Sequence, residues 1–452
     1  MFSRVLVANR GEVAVRLIRG LHELGIEAVL AYSTADRDSL ATRLADRGVC
    51  IGPPPARDSY LRIPSVIAAA TTTDCEAVHP GWGFLAESPE FVQACLDNEL
   101  VFVGPSAETM ARMGDKSQAR AELRAAGIPV VPGSDAPATL DEARDGASEL
   151  GYPVLLKAVA GGGGRGMRLV ESPAELEDAF ASASSEASAA FGNGGLYFEK
   201  ALVPARHIEV QVLADRAGGV LTLGERECSI QRRHQKLIEE SPSPALSEQA
   251  RASMEEAAET ASRAIGYENA GTFEFLLGPD GSFYFIELNA RLQVEHPVSE
   301  LVTGIDLVRE QLRIAAGEQL RTTGRAARRG HAIEIRLNAE DPARGFAPSP
   351  GTIERFRPPL GPGVRVDSHI EDGTVVSPFY DSLLAKVIVW NEDRAGAIAR
   401  ALRALGELEL RGVATTREFA IETLRSDEFG SGSYSTSYLE NSEQRLSTAG
   451  VT

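Results

Sequence analysis

The sequence has few cysteines, and those few are isolated from one another. Cys50, Cys75, Cys95 and Cys228 are the four cysteines in 452 residues, and none belongs to a C-x-x-C pair. This spacing excludes a zinc ribbon. We therefore expect four reduced, mostly buried thiols in a cytosolic protein.

Long apolar runs are also missing. No stretch approaches the roughly 18 apolar residues of a transmembrane helix. About five apolar residues precede Asn9 and Arg10, too few for a secretory signal. The net charge of −18 would repel a phosphate backbone, which argues against a nucleic-acid partner. We expect a cytoplasmic protein that binds neither membranes nor nucleic acids.

Lysine is scarce. The chain has 46 basic residues, of which 41 are arginines. The five lysines are Lys116, Lys157, Lys200, Lys236 and Lys386. Genomic base composition can explain the scarcity, but not why four of the five fall in the candidate anion sites described below. Lysine offers a compact point charge where arginine offers a wide planar fork. We therefore predict functional roles for these lysines.

The order of the apolar patterns predicts a mixed α/β and α+β protein. Short strands over 5–8 and 28–32 flank a helical pattern over 11–24, which indicates a small parallel α/β unit. We expect an N-terminal α/β domain over 1–104, a helical connector over 105–130 and a glycine-rich lid over 131–202. A larger C-terminal α+β domain over 203–446 and a disordered tail over 447–452 complete the prediction.

A glycine run follows a short apolar strand in the segment YPVLLKAVAGGGGRGMRLV, residues 152–170. Gly161, Gly163 and Gly166 fit G-x-G-x-x-G, but the residues after them resemble a second strand rather than the helix of a dinucleotide fold. The sequence G-x-x-x-x-G-K-[ST] is absent, so no P-loop is predicted. A flexible linker is the alternative to a phosphate-covering hairpin with Lys157 on its first strand.

Two carboxylates are predicted to share one face of a hairpin over 271–291. If Leu277 pairs with Ser282 across the Gly-Pro-Asp-Gly turn, Glu274 and Glu287 become diagonal neighbours, with Asn289 on the same face. Such oxygen ligands suit Mg²⁺ or Mn²⁺ shared with nucleotide phosphates, whereas a solvated outer face is the alternative. The predicted core stripe on the other face consists of Phe273, Phe275, Tyr284, Ile286 and Leu288.

A polar strip follows this hairpin directly. Arg291, Gln293 and Glu295 alternate with apolar residues, so an extended strand would project them together. A cation, an amide and a carboxylate in that order can bind a small planar anion, with the carboxylate as general base.

Three further polar candidates lie elsewhere in the chain. The cluster QRRHQK over 231–236 is either part of the site or a solvated charged face. Arg336 lies in a strand-like segment, and Asp381 lies in the turn-like FYDS.

These motifs together resemble the biotin carboxylase family of the ATP-grasp superfamily. The resemblance covers about residues 3–446. Its motifs are VANRGE, HPGWGFLAE at 79–87, MGDK at 113–116, YPVLLKA with GGGGRGM, ECSIQRRHQK at 227–236, GTFEF at 271–275, FIELNARLQVEHPVSE at 285–300 and PFYDSLLAK at 378–386. The resemblance implies an ATP-grasp fold with a mobile lid. It also implies a ligase that uses ATP and bicarbonate to make carboxyphosphate and then carboxylates biotin.

The resemblance also implies a role for each matching position. The implied ATP contacts are Lys116, Lys157, Gly162, Gly163, Gly164, Glu199, Lys200, His207, Gln231 and His234. The implied Mg²⁺ or Mn²⁺ ligands are Glu274 and Glu287, with Asn289 close by. The implied bicarbonate contacts are Lys236, Arg291, Gln293 and the backbone of Val294, with Glu295 taking the bicarbonate proton. Arg336 and Asp381 are the implied biotin residues, and Arg336 would stabilise the enolate-like oxygen. Trp82 departs from the tyrosine usual in the family.

The implied partners are a biotin carboxyl carrier protein and carboxyltransferase subunits, as in the acetyl-CoA carboxylase of fatty acid biosynthesis. A homodimer is also implied, although Pro362 replaces a common interface aromatic residue. The resemblance leaves the final acceptor open among acetyl-CoA, other acyl-CoAs and pyruvate. Two alternatives are an ATP-grasp ligase that activates another carboxylate and a nucleotide-binding regulatory subunit. Phosphate release that ignores bicarbonate and biotin would favour the first.

Overall fold

The computed structural model describes residues 1–134, 138–159 and 167–440. Its N-terminal part is a parallel sheet with the strand order β3-β2-β1-β4-β5. The elements are β1 (Arg4–Val7), α1 (Gly11–Glu23), β2 (Glu27–Ser33), α2 (Leu40–Leu44), β3 (Arg47–Gly52), α3 (Ile63–Thr72), β4 (Ala77–His79), α4 (Pro89–Asp97) and β5 (Val101–Phe102). The central strands β1, β2 and β4 are apolar over most of their length, with polar residues mainly at their ends, because separate core clusters cover both faces of the sheet. The predicted parallel α/β unit is confirmed.

Two short helices and the lid follow. The elements are α5 (Ala107–Gly114), α6 (Lys116–Ala125), α7 (Leu140–Leu150), β6 (Val154–Ala158), β7 (Met167–Val170), α8 (Leu176–Phe191) and β8 (Leu196–Lys200). The three strands form an antiparallel sheet in the order β7-β6-β8. Lys157 lies on β6, opposite Met167. Gly162, Gly163 and Gly164 lie outside the described residues.

The remaining chain is built on one large sheet in the order β13-β12-β9-β10-β11-β15-β22-β20, with β14 beside β10. Its first elements are β9 (Arg206–Ala214), β10 (Val220–Arg232), β11 (Gln235–Ser241), α9 (Glu248–Ile265), β12 (Asn269–Leu277), β13 (Phe283–Asn289), α10 (His296–Thr303), α11 (Leu307–Ala315), β14 (Gly324–Arg325) and β15 (His331–Asn338). The others are β16 (Glu340–Asp341), β17 (Ala347–Pro348), β18 (Gly351–Thr352), β19 (Arg355–Arg357), β20 (Val364–Ser368), β21 (Val375–Val376), β22 (Leu383–Asn391), α12 (Arg394–Glu407), β23 (Glu409–Arg411), α13 (Arg417–Arg425) and α14 (Asp427–Ser431). Among the described residues, no helix combines the length and apolar character needed to cross a membrane.

The predicted register of the β12–β13 hairpin is wrong, although its two glutamates do share a face. Leu277 pairs with Phe283 rather than Ser282, because Asp280 accepts a hydrogen bond from the Ser282 backbone and holds that residue in the turn. A bulge then adds Ile286 as an unpaired residue. The two offsets together bring Glu274 directly opposite Glu287 instead of diagonal to it.

The same shift corrects the predicted core stripe. Phe273, Phe275 and Leu288 are buried as expected, but Phe285 is fully buried in place of Tyr284 and Ile286. Those two side chains are only half-buried. The register of this hairpin therefore places two opposed carboxylates on one face and a phenylalanine cluster on the other.

This register predicts unequal effects of two neighbouring truncations. We expect Phe285→Ala to lower the free energy of unfolding by about 3–5 kcal/mol, because it empties a fully buried aromatic site. Tyr284→Ala removes only a half-buried ring, so its loss of unfolding free energy should be smaller than that of Phe285→Ala by about 2 kcal/mol or more. Chemical denaturation of both variants measures the difference. A larger effect of Tyr284→Ala would contradict the register.

Candidate active site

A cavity of about 590 Å³ lies where the loop after β4, the lid and the large sheet meet. Its wall contains most of the residues singled out from the sequence. These are Lys116, Lys157, His207, Gln231, His234, Lys236, Glu274, Glu287, Asn289, Arg291, Gln293, Val294, Glu295, Arg336 and Asp381. Trp82, Leu276 and Ile286 add apolar surface. The cavity therefore combines many charged groups with an apolar lining of similar extent.

Two predicted ATP residues, Glu199 and Lys200, lie behind the lid wall of the cavity. Glu199 is buried and accepts hydrogen bonds from Arg120 and from the cavity residue Lys157. The Lys200 ammonium donates to the carbonyl oxygen of Gly151 at 2.7 Å. The side chain of Glu199 therefore joins the lid to α6, and that of Lys200 holds the end of β8 against the turn before β6.

Lys236 is the charged centre of the cavity. It lies on β11, and its Nζ donates to Glu209, to Glu274 at 2.9 Å and to Glu295 at 2.6 Å. Burial alone would lower the pKa of Lys236, but the three carboxyl groups raise it well above its usual value. Its charge in turn holds the pKa values of Glu274 and Glu295 well below theirs, against the effect of burial. Lys236 is thus a largely buried ammonium group whose charged form the three carboxylates favour.

Glu274 and Glu287 face each other across the hairpin. Among the described residues, no cationic side chain pairs with both carboxylates. Asn289 donates to Glu274 at 2.8 Å, and His207 Nε2 lies 2.9 Å from the same carboxylate. Glu287 lies 3.7 Å from the Lys116 ammonium. Burial, and then the charge of Glu274, raise the pKa of Glu287. A divalent cation between the two carboxylates would relieve this repulsion, so the donor set fits Mg²⁺ or Mn²⁺.

A third buried carboxyl group, that of Glu209, was missed in the sequence analysis. It lies on β9 beneath Lys236 and accepts a hydrogen bond from the fully buried Arg226. Arg226 also donates to Gln211 at 2.7 Å. The alternation of His207, Glu209 and Gln211 within a buried strand was the signal, because polar residues two apart line one face of a sheet.

The predicted extended strip is instead an irregular loop between β13 and α10. Arg291 donates to Glu87 at 2.8 Å and to the Gln293 side-chain oxygen at 3.0 Å. The buried Nε2 of Gln293 has no hydrogen-bond partner among the described residues. Because the loop has no neighbouring strand, side chains satisfy its carbonyl oxygens, as His296 does for that of Gln293 at 2.7 Å. The predicted side chains still reach the cavity together.

Glu295 is shared between two cations. Its second oxygen accepts a hydrogen bond from Arg336 on β15 at 2.8 Å, while Lys236 holds the first. Arg336 also donates to Glu239 on β11 at 2.6 Å. Burial, partly offset by Arg336 and reinforced by Glu295, raises the pKa of Glu239 to about 7. Asp381 lies at the rim, just before β22.

His234 reaches the cavity from the tight turn between β10 and β11. Arg233 and His234 both have positive φ values, 48° and 65°, as a two-residue hairpin turn with the twist of its strands requires. Gln231 and Lys236 flank the turn and also line the cavity, whereas Arg232 lies over the Phe346 ring outside it. The cluster over 231–236 is therefore divided between the cavity and the surface.

Comparison with known proteins identifies similar chains along the whole length. Residues 1–110 match the family "Biotin carboxylase, N-terminal domain", residues 334–441 match "Biotin carboxylase C-terminal domain", and residues 115–323 match "Carbamoyl-phosphate synthase L chain, ATP binding domain". A biotin carboxylase of Nostoc sp. is 52% identical over 441 residues, which are 97% of this chain and 99% of the relative.

Two solved structures are similar in fold as well. A biotin carboxylase from Campylobacter jejuni in complex with β,γ-ATP has a TM-score of 0.95 at 48% identity and covers 98% of this chain and 99% of its own. The biotin carboxylase domain dimer of Hydrogenobacter thermophilus 2-oxoglutarate carboxylase, with MgADP, ADP and bicarbonate, has a TM-score of 0.93 at 45% identity and covers 98% of both chains.

The raised pKa of Glu239 predicts a pH-dependent stability. The folded protein binds this proton more tightly than the unfolded chain, so the contribution is complete below about pH 4.5 and is lost as the pH rises through about 7. We expect the free energy of unfolding of the parent to fall between pH 5 and pH 8. In Glu239→Gln, which cannot lose this proton, the fall should be smaller by about 1–3 kcal/mol. Denaturation at both pH values measures it, with the exposed-site variant Glu256→Gln as control. Parallel slopes for parent and Glu239→Gln would refute it.

Proposed function

Because this chain belongs to the biotin carboxylase family of ATP-grasp enzymes, we propose that its cavity carboxylates carrier-bound biotin through carboxyphosphate. Biotin carboxylase activity, an ATP-dependent reaction, is that of the family. The observation that supports the residue roles is the position of Glu295, held between Lys236 and Arg336 beside the opposed Glu274 and Glu287. These groups match what the reaction needs: a base, anion-binding cations and a metal site.

The nucleotide would lie between the lid and the large sheet. In this proposal Lys116 and Lys157 approach its phosphates from opposite walls, because one begins α6 and the other lies on β6. His207, Gln231 and His234 line the same region of the cavity. The proposed ATP contacts also include Glu199, Lys200 and the backbone of Gly162, Gly163 and Gly164.

The proposed metal ligands are Glu274 and Glu287, with Asn289 beside them. A divalent cation here would supply positive charge to the phosphoryl oxygens during transfer. The protein's own part is to hold the two carboxylates opposite each other, which the β12–β13 register does.

Bicarbonate would bind at Arg291, Lys236, Gln293 and the backbone of Val294. The unpartnered Nε2 of Gln293 supports this proposal, because a buried amide donor without an acceptor is unfavourable until an anion accepts from it. Glu295 is ionised next to its two cations and can accept the bicarbonate proton. An anion that draws Lys236 and Arg336 toward itself would weaken their hold on Glu295 and raise its basicity.

Biotin would bind beside the bicarbonate site, near Arg336 and Asp381. The Arg336 guanidinium, already aligned by Glu239, can stabilise negative charge on the ureido oxygen as the ring nitrogen loses its proton. Trp82 supplies an apolar wall on this side.

We further propose that the chain acts in the cytoplasm with a biotin carboxyl carrier protein and carboxyltransferase subunits, and that acetyl-CoA or another acyl-CoA is the final acceptor. The dimer named in the Hydrogenobacter structure supports a homodimer. We also propose four structural regions: the N-terminal domain over 1–104, the connector over 105–130, the lid over 131–202 and the C-terminal domain over 203–446.

Phosphate release from Mg-ATP tests the half-reaction. We expect release to require bicarbonate and to rise with free biotin. Glu295→Gln should lower the biotin-dependent rate by about 10²–10⁴-fold, since it removes the proposed base but keeps its shape. Glu256→Gln, at an exposed site, serves as the matched control. Release that ignores bicarbonate and biotin would refute the proposed substrates, and an unimpaired Glu295→Gln would refute the base.

The metal assignment has its own test. Glu287→Gln should raise the Mn²⁺ or Mg²⁺ concentration for half-maximal phosphate release by about 10–100-fold, because it removes one of two opposed carboxylates. Metal titrations of the parent and the variant measure the shift at saturating ATP. An unchanged half-saturation would assign the metal to other ligands.

A further inference from the structure

Lys386 is a fully buried lysine that none of the roles above uses. It lies on β22, opposite Arg336 of β15. Its Nζ donates to the carbonyl oxygen of Val294 at 2.8 Å and lies 3.2 Å from Glu12 and 3.8 Å from Asp367. One ammonium group thus lies among α1, β20 and the loop over 290–295 between β13 and α10, called the bicarbonate loop below.

Two of these contacts lead to residues that line the cavity, Glu295 and Trp82. The peptide unit is planar, so fixing the carbonyl oxygen of Val294 also restrains the Cα atom of Glu295, from which the side chain of the proposed base projects. On the other side, Glu12 of α1 accepts a hydrogen bond from the Trp82 indole at 3.2 Å. Lys386 therefore connects two parts of the cavity wall from outside the cavity. One is the part that carries Glu295, and the other is the part that carries Trp82, called the Trp82 wall below.

The surroundings of Lys386 keep it charged. Burial alone would lower its pKa, but Glu12, Glu334 and Asp367 together raise it. The bicarbonate loop depends on side-chain donors because no strand pairs with it, and Lys386 supplies the donor for the carbonyl directly before Glu295. Arginine, with its wide planar fork, does not offer the same three-way point contact.

We propose that Lys386 is a positioning residue that sets the distance between Glu295 and the Trp82 wall, and so shapes the bicarbonate and biotin end of the cavity. This proposal rests on the proposed function only for the identity of the molecules that bind at this end of the cavity. The position of Glu295 relative to Trp82 does not depend on turnover. The nucleotide end, built from the lid, β9, β12 and β13, should not depend on Lys386.

The test uses Lys386→Met in a Trp390→Phe background, where Trp82 is the remaining tryptophan. We expect the KM for bicarbonate to rise about 10–100-fold, because small displacements of reacting groups have effects of that order. The KM for Mg-ATP should stay within about twofold. The Trp82 emission should shift, with increased quenching by iodide.

The matched control is Arg251→Met in the same background. Arg251 is a buried cation paired with Glu225 at 2.8 Å, and it lies outside the cavity wall. The Arg251→Met variant should be less stable than its background protein but should keep the same KM for bicarbonate and the same Trp82 emission. If Lys386→Met does not fold, Glu12→Gln decides the question, because it keeps the side-chain shape but removes the charge beside Lys386. It should raise the KM for bicarbonate while the KM for Mg-ATP stays within about twofold, and an unchanged bicarbonate KM would overturn the positioning role.

The outcomes separate the two proposals. A parent protein without bicarbonate-stimulated phosphate release would refute the proposed function, while the Trp82 emission would still test the role of Lys386. An active parent whose Lys386→Met variant keeps its bicarbonate KM and Trp82 emission would overturn the positioning role. Equal changes in the KM values for bicarbonate and Mg-ATP would overturn it as well, since a general structural defect would then explain both.

Discussion

The largely buried ammonium group of Lys236 lies where two strands and a loop each deliver a carboxyl group to it. Glu209, Glu274 and Glu295 would repel one another without this cation, and the cation could not be buried without them. The strands β9, β11 and β12 and the loop after β13 must therefore assemble around it together. Arg226, fully buried below Glu209, extends the same balance of charge into the sheet.

In this arrangement, the cations proposed to bind substrate anions are already paired with carboxylates of the protein. Lys236, Arg291 and Arg336 each donate to a carboxylate of the protein. An anionic substrate therefore exchanges one anionic partner for another instead of meeting a bare cation, and the displaced carboxylate becomes more basic. In the mechanism that we propose, Glu295 would gain this basicity at the step at which it accepts the bicarbonate proton. Binding and activation of the base are thus coupled by charge alone.

Short-range patterns in the sequence predicted the parallel sheet and gathered most of the cavity residues, because alternation along a strand fixes which side chains share a face. They did not predict the β12–β13 register, which depends on the side chain of Asp280 in the turn and on a bulge at Ile286. They also missed Glu209 and Glu239. Their importance comes from neighbours distant in sequence, Lys236 and Arg336, which only the assembled sheet brings to them.

The scarcity of lysine acquires a physical meaning in this setting. Lys236 donates to carboxylates from three different elements, and Lys386 donates to one carbonyl oxygen while carboxylates of two further elements lie near its charge. An ammonium group suits both places because its three donors point in three directions. A guanidinium group donates within one plane, which suits Arg336 as it lies between Glu239 and Glu295. The choice between the two residues thus follows from whether the partners surround the cation or lie in a plane with it. In a chain that otherwise uses arginine almost throughout, the buried lysines mark the points where several elements meet around a single charge.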